Sequence, residues 1–531
     1  MHKLLALLAI FTVSAGLHAS TFYIDPQTGD IANPGTAQAP WSTLEEVIAA
    51  GYIYTQRYTT PYDSLTSVLV DVNADGAVRP GDTLVLHGGL HGYFDLTNAH
   101  NSDYITLMAG SGGSPILKGV KLTSGSKWNF DGLVVSSEPY GEYLGGHMMD
   151  LASHGWQGPV HDIKITNCFL YSTLHVDEWT LDDWLAKRRS GIKVVGSYAD
   201  ISGCSLLNID FGISLVGSHM TALNCVVENF SGDGMRSLGP HQLLQGNVIK
   251  NCYNINDNHD DGIQSYNLGT YDTRDVVIRG NTIINYSDPD QPLRGPLQGI
   301  GCFDGPYTDW LIENNIVAVD HWHGISLYGA FNCTIRNNTV LDPTPDVTPG
   351  PSWIRINPNK DGVPSEGNTV ANNICNTVQV EGALITTNML LSDEQDYDEH
   401  FEDAAQYNFR LLTTSSAIDA GVDSLAAAVD FYNVDRPQGA HSDIGAIEYV
   451  IPVAVADAVS DHADMLYPNP TIGMVQLPQH QEIVYVYTMQ GKLYTTLHVN
   501  AGAVDLSFVP EGMYILHGTQ GLIGRVVVAR Q

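Results

Sequence analysis

One short phrase recurs through the middle of this chain: a Gly-Ile pair, followed by a strand-like run that closes on Cys or Asn. The opening glycines are Gly191, Gly212, Gly234, Gly262, Gly299 and Gly324, with a degenerate copy at Trp353-Ile354. The closing residues are Cys168, Cys204, Cys225, Asn247, Asn281, Asn315, Asn338 and Asn373. Closing residues stand 21 to 23 positions apart where no loop intervenes and 34 to 36 where one does. A period this short excludes helical repeats and indicates one β coil per repeat.

The runs after each glycine alternate apolar and polar residues, as in Gly212-Ile-Ser-Leu-Val and Gly324-Ile-Ser-Leu-Tyr. This period of two is that of β-strands, and strands stack at about 4.8 Å, so equivalent positions form ladders. A buried Asn at a turn can hydrogen-bond the backbone of its neighbours. We therefore predict an all-β fold, a right-handed parallel β-helix over residues 20–450, its hand following the usual crossover preference.

The N-terminal region predicts export and a cover for the first coil. Residues 1–19 have the basic start and apolar run of a secretory signal peptide. Ser42 and Glu45 form a predicted capping box before a short amphipathic helix, which would shield the open core. This opening is similar to that of many secreted bacterial β-helix proteins, including polysaccharide lyases.

The C-terminal region predicts a separate small domain. Residues 451–464 have the composition of a linker. Residues 465–531 contain Leu466-Tyr-Pro-Asn-Pro-Thr471, Gly491-Lys492, Gly512-Met-Tyr-Ile-Leu516 and Gly524-Arg-Val-Val-Val528. In order and spacing they resemble the sorting domain of type IX secretion substrates. That resemblance implies a small β-sandwich, the type IX machinery as a partner, and a secreted or cell-surface location.

Charge and cysteine content limit the partners. With 24 basic against 58 acidic residues, the net charge is −34, which disfavours nucleic acid. No apolar run after the signal is long enough to span a membrane, and we expect a monomer. Three of the seven cysteines share one repeat column, which predicts stacked, buried thiols rather than a disulfide framework.

The segment 71–82 has the spacing of a calcium-binding loop, with an acid at position 12 as in the dockerin variant. Its candidate ligands are Asp71, Asn73, Asp75, the carbonyl of Ala77, and Asp82. We predict a structural calcium ion here; the alternative is an Asp/Asn/Gly turn that needs no metal.

Candidate site residues gather on the coils from 233 to 355, where long loops at 249–261 and 283–298 are inserted. If each Ile points inward, the outward column is Lys193, Ser214, Arg236, Gln264, Gly301, Ser326 and Arg355. A second outward column holds Tyr266, Phe303 and Tyr328, and the corner column is Ser190, Phe211, Asp233, Asp261, Gln298 and His323.

Asp233 and Asp261 would stand roughly 5 Å apart, one strand spacing. Two carboxylates this close cannot both ionise cheaply, so either one becomes a general acid or a cation binds there. A catalytic calcium ion near Asp260 and Asp261 is the second possibility. Asp before Gly is also common in turns, and a histidine at a corner can be structural. A cluster with a structural role only therefore stays an alternative.

The segment resembles secreted β-helix proteins related to polysaccharide lyases and mannuronan epimerases. It also keeps the order of the polygalacturonases in Asp233, Asp260-Asp261, His323-Gly324 and Arg355-Ile356. The Gln298 coil interrupts that order, and the Asn-Thr-Asp and Asp-Asp-Cys motifs of those hydrolases are absent.

We predict from these residues and resemblances an enzyme that cleaves a uronate-containing polysaccharide by β-elimination. Arg236 and Arg355, or calcium, would neutralise the substrate carboxylate; His323 would be the base, and His259 or Tyr328 the acid. Further substrate contacts would come from Gln264, Tyr328, Trp322, Trp353 and Lys193. The alternatives are hydrolysis by Asp233 and Asp261, epimerisation, and a non-catalytic glycan-binding or adhesin β-helix.

Overall fold

The computed structural model separates into two compact units, Met1–Val450 and Ile451–Gln531. It describes residues 19–110, 113–267, 269, 273–288 and 290–450 of the first unit. Of the second it describes residues 474–477, 483–488, 493–499, 503–506, 509, 512–518 and 521–528. Residues 1–18 of the predicted signal and the whole predicted linker 451–464 lie outside these ranges.

The first coil is covered by a helix and a hairpin. The elements are β1 (Thr21–Ile24), α1 (Leu44–Ala49), β2 (Thr55–Tyr58) and β3 (Leu69–Val72). Leu44 and Val47 of α1 are fully buried in the main core. The helix cap is Thr43, whose hydroxyl accepts from the Glu46 backbone N–H, so the predicted Ser42–Glu45 box is wrong by one residue.

The coils follow as a continuous series of short parallel strands with one inserted helix. In chain order they are β4 (Thr83–Leu86), β5 (Gly89–Leu90), β6 (Tyr93–Ala109), β7 (Pro115–Leu117), β8 (Gly119–Asp131), β9 (Val134–Val135), β10 (His147–Ala152), β11 (Val160–Thr166), β12 (Phe169–Tyr171), α2 (Leu181–Lys187), β13 (Ser190–Ser202), β14 (Ser205–Ile209), β15 (Ile213–Leu223), β16 (Val226–Phe230), β17 (Met235–Leu238), β18 (Gln242–Gln245), β19 (Val248–Cys252), β20 (Asp261–Tyr266), β21 (Thr273–Arg274), β22 (Val277–Arg279), β23 (Thr282–Ile284), β24 (Gln298–Asp304), β25 (Tyr307–Thr308), β26 (Leu311–Glu313), β27 (Ile316–Ala318), β28 (His323–Tyr328), β29 (Ala330–Phe331), β30 (Thr334–Arg336), β31 (Thr339–Leu341), β32 (Trp353–Asn357), β33 (Asn368–Ala371), β34 (Ile374–Cys375), β35 (Thr377–Val380), β36 (Ala383–Thr386) and β37 (Met389–Leu390). The strands pair in parallel from coil to coil, which confirms the predicted parallel β-helix.

The repeated glycine is explained by the close approach of neighbouring coils. A Cβ on Gly212 would lie 2.0 Å from the carbonyl oxygen of Gly234, and one on Gly299 would lie 2.2 Å from that of Gly324. The residue that follows each glycine, an isoleucine or in one coil Met235, is buried in the core and pairs with its equivalents above and below. Gly-Ile therefore marks a tight corner followed by an inward side chain.

The closing Asn column forms a hydrogen-bonded ladder inside the coil. Each Asn Nδ2 donates to the Oδ1 of the next, at 2.9 Å from Asn247 to Asn281 and again from Asn315 to Asn338. The ladder continues past the predicted end at Asn373 to Asn388. The thiols of Cys168, Cys204 and Cys225 continue the column, and all seven cysteines are buried and free, as predicted.

The chain after the last coil runs back along the flank of the β-helix. It contains α3 (Glu394–His400), β38 (Phe401–Asp403) and β39 (Asn408–Leu411), with 3-10 turns at Ala404–Gln406 and Asp423–Leu425. Its backbone hydrogen-bonds Asn372, Asn337 and Asn314 on three successive coils, through Val422, Ala427 and Val429. This segment therefore packs against the side of the coils.

The second unit is built from antiparallel strands. They are β40 (Met474–Gln476), β41 (Ile483–Thr488), β42 (Leu493–His498), β43 (Ala503–Asp505), β44 (Gly512–Gly518) and β45 (Gly521–Val528). β40 pairs with β43, and the other four strands form one sheet. Val475, Val484, Leu506 and Leu516 belong to its own buried core. No helix in the described parts of the chain is long and apolar enough to cross a membrane.

Candidate active site

The predicted outward column exists in the structure. Strand pairing places Lys193 beside Ser214, Ser214 beside Arg236 and Arg236 beside Gln264. It continues through Gly301 and Ser326 to Arg355. The side chains of interest nevertheless separate into two groups on different coils, one buried and one partly exposed.

The buried group is an acid cluster at the corner of β17 and β20. Asp233, Asp260 and Asp261 are 1%, 3% and 0% exposed. Arg236 Nε donates to Asp233 Oδ2 at 2.6 Å, and the Asp261 backbone N–H donates to Asp233 Oδ1 at 3.2 Å. Gln264 Nε2 donates to Asp261 Oδ2 at 2.9 Å. Asp260 Oδ2 and Asp261 Oδ1 are buried without a hydrogen-bond partner among the described residues.

Burial controls the protonation of this cluster. It raises the pKa of Asp261 well above its ordinary value, and the neighbouring Asp233 raises it further. Burial also raises the pKa of Asp233, against the opposing charge of Arg236, and that of Asp260 to about 7. Because Asp233 has the guanidinium as its partner, we place the negative charge on Asp233 and a proton on Asp261.

Gly301 makes room for the Asp261 carboxyl. A Cβ at position 301 would lie 1.9 Å from Asp261 Oδ1. Oδ1 of Asp261 therefore occupies the place of the missing side chain in the outward column.

Replacing Gly301 with alanine is expected to lower the free energy of unfolding by about 1–3 kcal/mol, the usual cost of overpacking. Chemical denaturation followed by tryptophan fluorescence measures the first unit alone, since all eight tryptophans precede residue 451. Gly145→Ala is the control, because nothing lies within 4 Å of a Cβ there. A smaller loss from Gly301→Ala in an Asp261→Ala background would confirm the cause; an equal loss would contradict it.

The second group surrounds Trp353. The rings of His323 and Trp353 are 5.1 Å apart, and Arg355 Cζ lies 4.7 Å from the Trp353 ring centroid. The ring centroids of Tyr328 and His323 are 6.3 Å apart, and Arg355 Cζ lies 5.9 Å from the Tyr328 ring centroid. Phe303 packs edge-on against both His323 and Tyr328. An imidazole, a phenol and a guanidinium thus converge at one partly exposed place.

Ser326 holds the imidazole in place. His323 Nδ1 lies 2.8 Å from Ser326 Oγ, and Trp353 Nε1 is 3.2 Å from both atoms. With its proton on Nδ1, His323 donates to Ser326 Oγ and presents Nε2 as an acceptor. With its proton on Nε2, the Nδ1 atom instead accepts from Trp353 Nε1. Burial lowers the pKa of His323 to about 3 and that of His321 to about 4, so both imidazoles are neutral near neutral pH.

Arg355 is oriented by a residue outside the predicted set. With the Asn357 amide oxygen turned toward the guanidinium, that oxygen accepts from Arg355 Nε at 2.9 Å and from Nη2 at 2.8 Å. Asn357 stands two positions after Arg355, on the same face of the strand, so strand alternation could have identified it. Phe211, in the predicted corner column, lies 3.9 Å from Arg236 Cζ, a contact that the sequence did not indicate.

The remaining predicted residues lie around these groups. Trp322 is 42% exposed and stacks on Trp353 at 6.1 Å. His259 is exposed on the loop before β20, and its charge lowers the pKa of His321 and His323. Lys193 stands three coils before Gln264 on the outward column, 3.6 Å from Asp150.

Three inserted segments form one wall beside the acid cluster. Trp184 of α2 stacks on Tyr253 at 4.5 Å. Val176 and Ile255 complete this small core, and Leu293 packs against it. The wall therefore joins the insert around α2 to the loops before β20 and β24, and Asp260 lies at the end of the second of these.

Calcium finds no ready ligand set in the described residues, where no group of three or more His, Cys, Asp or Glu side chains is placed to hold a metal ion. Asp71 accepts from Tyr54 and Gln56 side chains, and Asp82 accepts from the backbone N–H groups of Ser20 and Arg79. The carboxylates of Asp71 and Asp82 are thus already engaged by protein groups. Calcium at 71–82 or near Asp260 stays a prediction.

The pH dependence of stability should reveal Asp260. Its carboxyl binds a proton more tightly when folded, with a pKa near 7 against 3.8. Its stabilising contribution is therefore present below pH 3.8 and lost as the pH rises through about 7. Asp260→Asn should gain stability relative to the native protein across this interval, measured by denaturation at a series of pH values. Asp257→Asn, on the same loop, controls for the lost charge; identical curves for both variants would contradict the assignment.

Comparison with known proteins gives the fold. The family described as right handed beta helix region matches residues 190–345, and the β-helix is right-handed. Among solved structures, pectate lyase Pel9A aligns over 82% of this chain and 97% of its own, at 14% identity and a TM-score of 0.40. A GH136 lacto-N-biosidase from Eubacterium ramulus aligns over 70% and 67%, at 14% identity and 0.41. A mannuronic acid specific family 6 lyase from human gut microbiota aligns over 62% and 86%, at 14% identity and 0.31. No curated protein matches by sequence.

Proposed function

We propose that this protein is an enzyme that cleaves a uronate-containing polysaccharide by β-elimination at the group around Trp353. The observation that carries the proposal is the convergence of His323, Tyr328 and Arg355 there. β-Elimination needs a cation for the substrate carboxylate, a base for the proton on carbon 5 and an acid for the leaving oxygen. These three side chains supply one group of each kind.

The proposed steps follow from the protonation states. The Arg355 guanidinium binds the uronate carboxylate through two N–H groups and stabilises the charge that develops on it. His323 Nε2 removes the proton from carbon 5, a double bond forms between carbons 4 and 5, and the bond from carbon 4 to the glycosidic oxygen breaks. Burial raises the pKa of Tyr328, which keeps its phenol protonated, so that it can donate its proton to that oxygen.

The low pKa of His323 follows from the protein groups around it. Burial and the positive charge of Arg355 both lower it. A bound uronate brings a negative charge next to both groups, which raises the pKa of the imidazole and strengthens it as a base. The stacked rings of Trp322 and Trp353 would support the sugar through their apolar faces.

We also propose that the protein is exported. The support is the signal-like sequence at 1–19 and the resemblance of residues 465–531 to type IX sorting domains. Comparing the sizes of the cell-associated and released protein would test this; a protein retained whole in the cytoplasm would contradict it.

The proposed reaction leaves a distinctive product. Purified protein is incubated with alginate, pectate and glycosaminoglycans, and ultraviolet absorbance of unsaturated uronate is recorded with reducing ends. A lyase raises both signals together. Reducing ends without absorbance would overturn β-elimination. The absence of both signals with every acidic polymer would overturn the proposal that the protein cleaves such polymers.

Hydrolysis is the second candidate, favoured by the raised pKa of Asp261 and its unpartnered oxygen at Gly301. A protonated carboxyl is the general acid that glycoside hydrolysis requires. Its full burial means that a substrate reaches it only after local movement. Asp261→Asn would abolish activity under this mechanism, whereas under β-elimination at Trp353 it would leave activity largely unchanged.

A further inference from the structure

The outward column continues well beyond the candidate site toward the N-terminal end. Strand pairing places Asp95 beside Lys121, Lys121 beside Asp150 and Asp150 beside Lys193. The complete column is Asp95, Lys121, Asp150, Lys193, Ser214, Arg236, Gln264, Gly301, Ser326, Arg355 and Gln379. It gives one straight row of residues along the axis of the β-helix.

Cations recur along this row at even intervals. Lys121, Lys193 and Arg236 are each two coils apart, which is about 10 Å, and Arg355 follows four coils later. The position two coils after Arg236, where the even spacing would place another cation, is Gly301. There the Asp261 carboxyl fills the space of a side chain. The column thus holds four basic residues against two acidic ones, Asp95 and Asp150, in a chain with a net charge of −34.

The two lysines of this row are available to a ligand. Lys121 is exposed and makes no salt bridge within the part of the chain that the structure describes. Lys193 Nζ lies 3.6 Å from Asp150, too long for a hydrogen bond, so its ammonium keeps free donors. Arg236, by contrast, is committed to the buried Asp233.

We propose that an acidic polysaccharide binds lengthwise along this column, with Lys121 and Lys193 as remote contacts for its acidic groups. Lys121 lies eight coils from Arg355, about 38 Å, so only a long chain reaches both. The two-coil interval suits an extended polymer that turns an acidic group to the same side at every second residue. The inference rests on the proposed function for the cleavage point at Arg355, but the binding itself does not depend on cleavage.

Affinity electrophoresis tests this binding directly. Native gels contain alginate or polygalacturonate as acidic probes, and dextran as the neutral reference. We expect retardation by at least one acidic polymer, a loss of affinity of about two- to fivefold for Lys121→Gln, and a larger loss for Lys121→Gln with Lys193→Gln. Lys164→Gln is the matched control, because Lys164 belongs to another column, beside Asp200.

The outcomes separate this inference from the proposed function. Equal affinity of native protein and Lys121→Gln for long chains, an equal loss in Lys164→Gln, or equal retardation by dextran would overturn it. Retardation that depends on Lys121, without any cleavage product, would support the inference and remove the proposed reaction. Cleavage without any retardation by acidic polymers would support the proposed reaction and overturn the inference.

Discussion

Replacing His323 with alanine is expected to lower turnover of an acidic polysaccharide by about 10²–10⁴-fold, the usual contribution of a positioned general base. The imidazole is neutral at working pH because burial lowers its pKa to about 3. The contact of Nδ1 with Ser326 Oγ holds the ring in one orientation. The loss should fall on kcat more than on KM, since Arg355 and the tryptophans still bind the sugar.

A second histidine variant separates catalysis from folding. His219 stacks between Tyr198 and His241 on another column, away from the site. His219→Ala should keep full activity, and both variants should still unfold in a single cooperative transition, which shows that each remains folded. Activity of His323→Ala equal to that of His219→Ala would remove His323 as the base. The activity of Ser326→Ala should lie between those of His323→Ala and His219→Ala, because the imidazole is still present but is no longer held in its orientation.

Replacing Arg436 with methionine is expected to lower the free energy of unfolding by about 3–5 kcal/mol, the cost of leaving a buried charge unpaired. Arg436 Nη1 donates to Glu448 Oε2 at 2.6 Å, and the two side chains are 1% and 0% exposed. The guanidinium also donates to the carbonyl oxygens of Asp443 and Gly445. Its removal leaves the buried Glu448 carboxylate without a counter-ion, with only the backbone N–H groups of Gln438 and Asp443 donating to it.

The measurement again uses tryptophan fluorescence during chemical denaturation. Lys250→Met is the matched control: its salt bridge to Glu228 spans 3.0 Å, but the partners are 28% and 34% exposed. Lys250→Met should lower the free energy of unfolding by less than about 1 kcal/mol. Adding Glu448→Leu to Arg436→Met should recover part of the loss, because the stranded charge is gone. A loss from Arg436→Met no larger than that of Lys250→Met would contradict the role of the pair.

The strand register was predictable from the sequence, but the burial of individual side chains was not. The Gly-Ile repeat and the period of two fix which residues share a column, so the row from Lys193 to Arg355 matches the prediction. Whether a corner residue is covered depends on segments that carry no repeat. Asp233 and Asp261 are buried, in the corner that the Trp184–Tyr253 wall flanks, and that packing joins residues 69 positions apart, which no local pattern reveals.

Two smaller differences have similar causes. The helix begins at Thr43 instead of Ser42 because both residues can cap, and only the three-dimensional path of the chain selects one. The Asn ladder extends to Asn388 because the last coil is only 15 residues long, shorter than the period that the repeat suggested. The sequence therefore predicts the coils better than their ends.

The return of the chain along the flank changes how the last coils can come apart. A stack of coils joined only to its neighbours would unravel one turn at a time from its free end. Here the strap formed by residues 422–429 is hydrogen-bonded to Asn372, Asn337 and Asn314, so no single turn among these three can peel away alone. Fraying at this end is replaced by one cooperative step, and amide hydrogens on all three turns should exchange with solvent at a common rate.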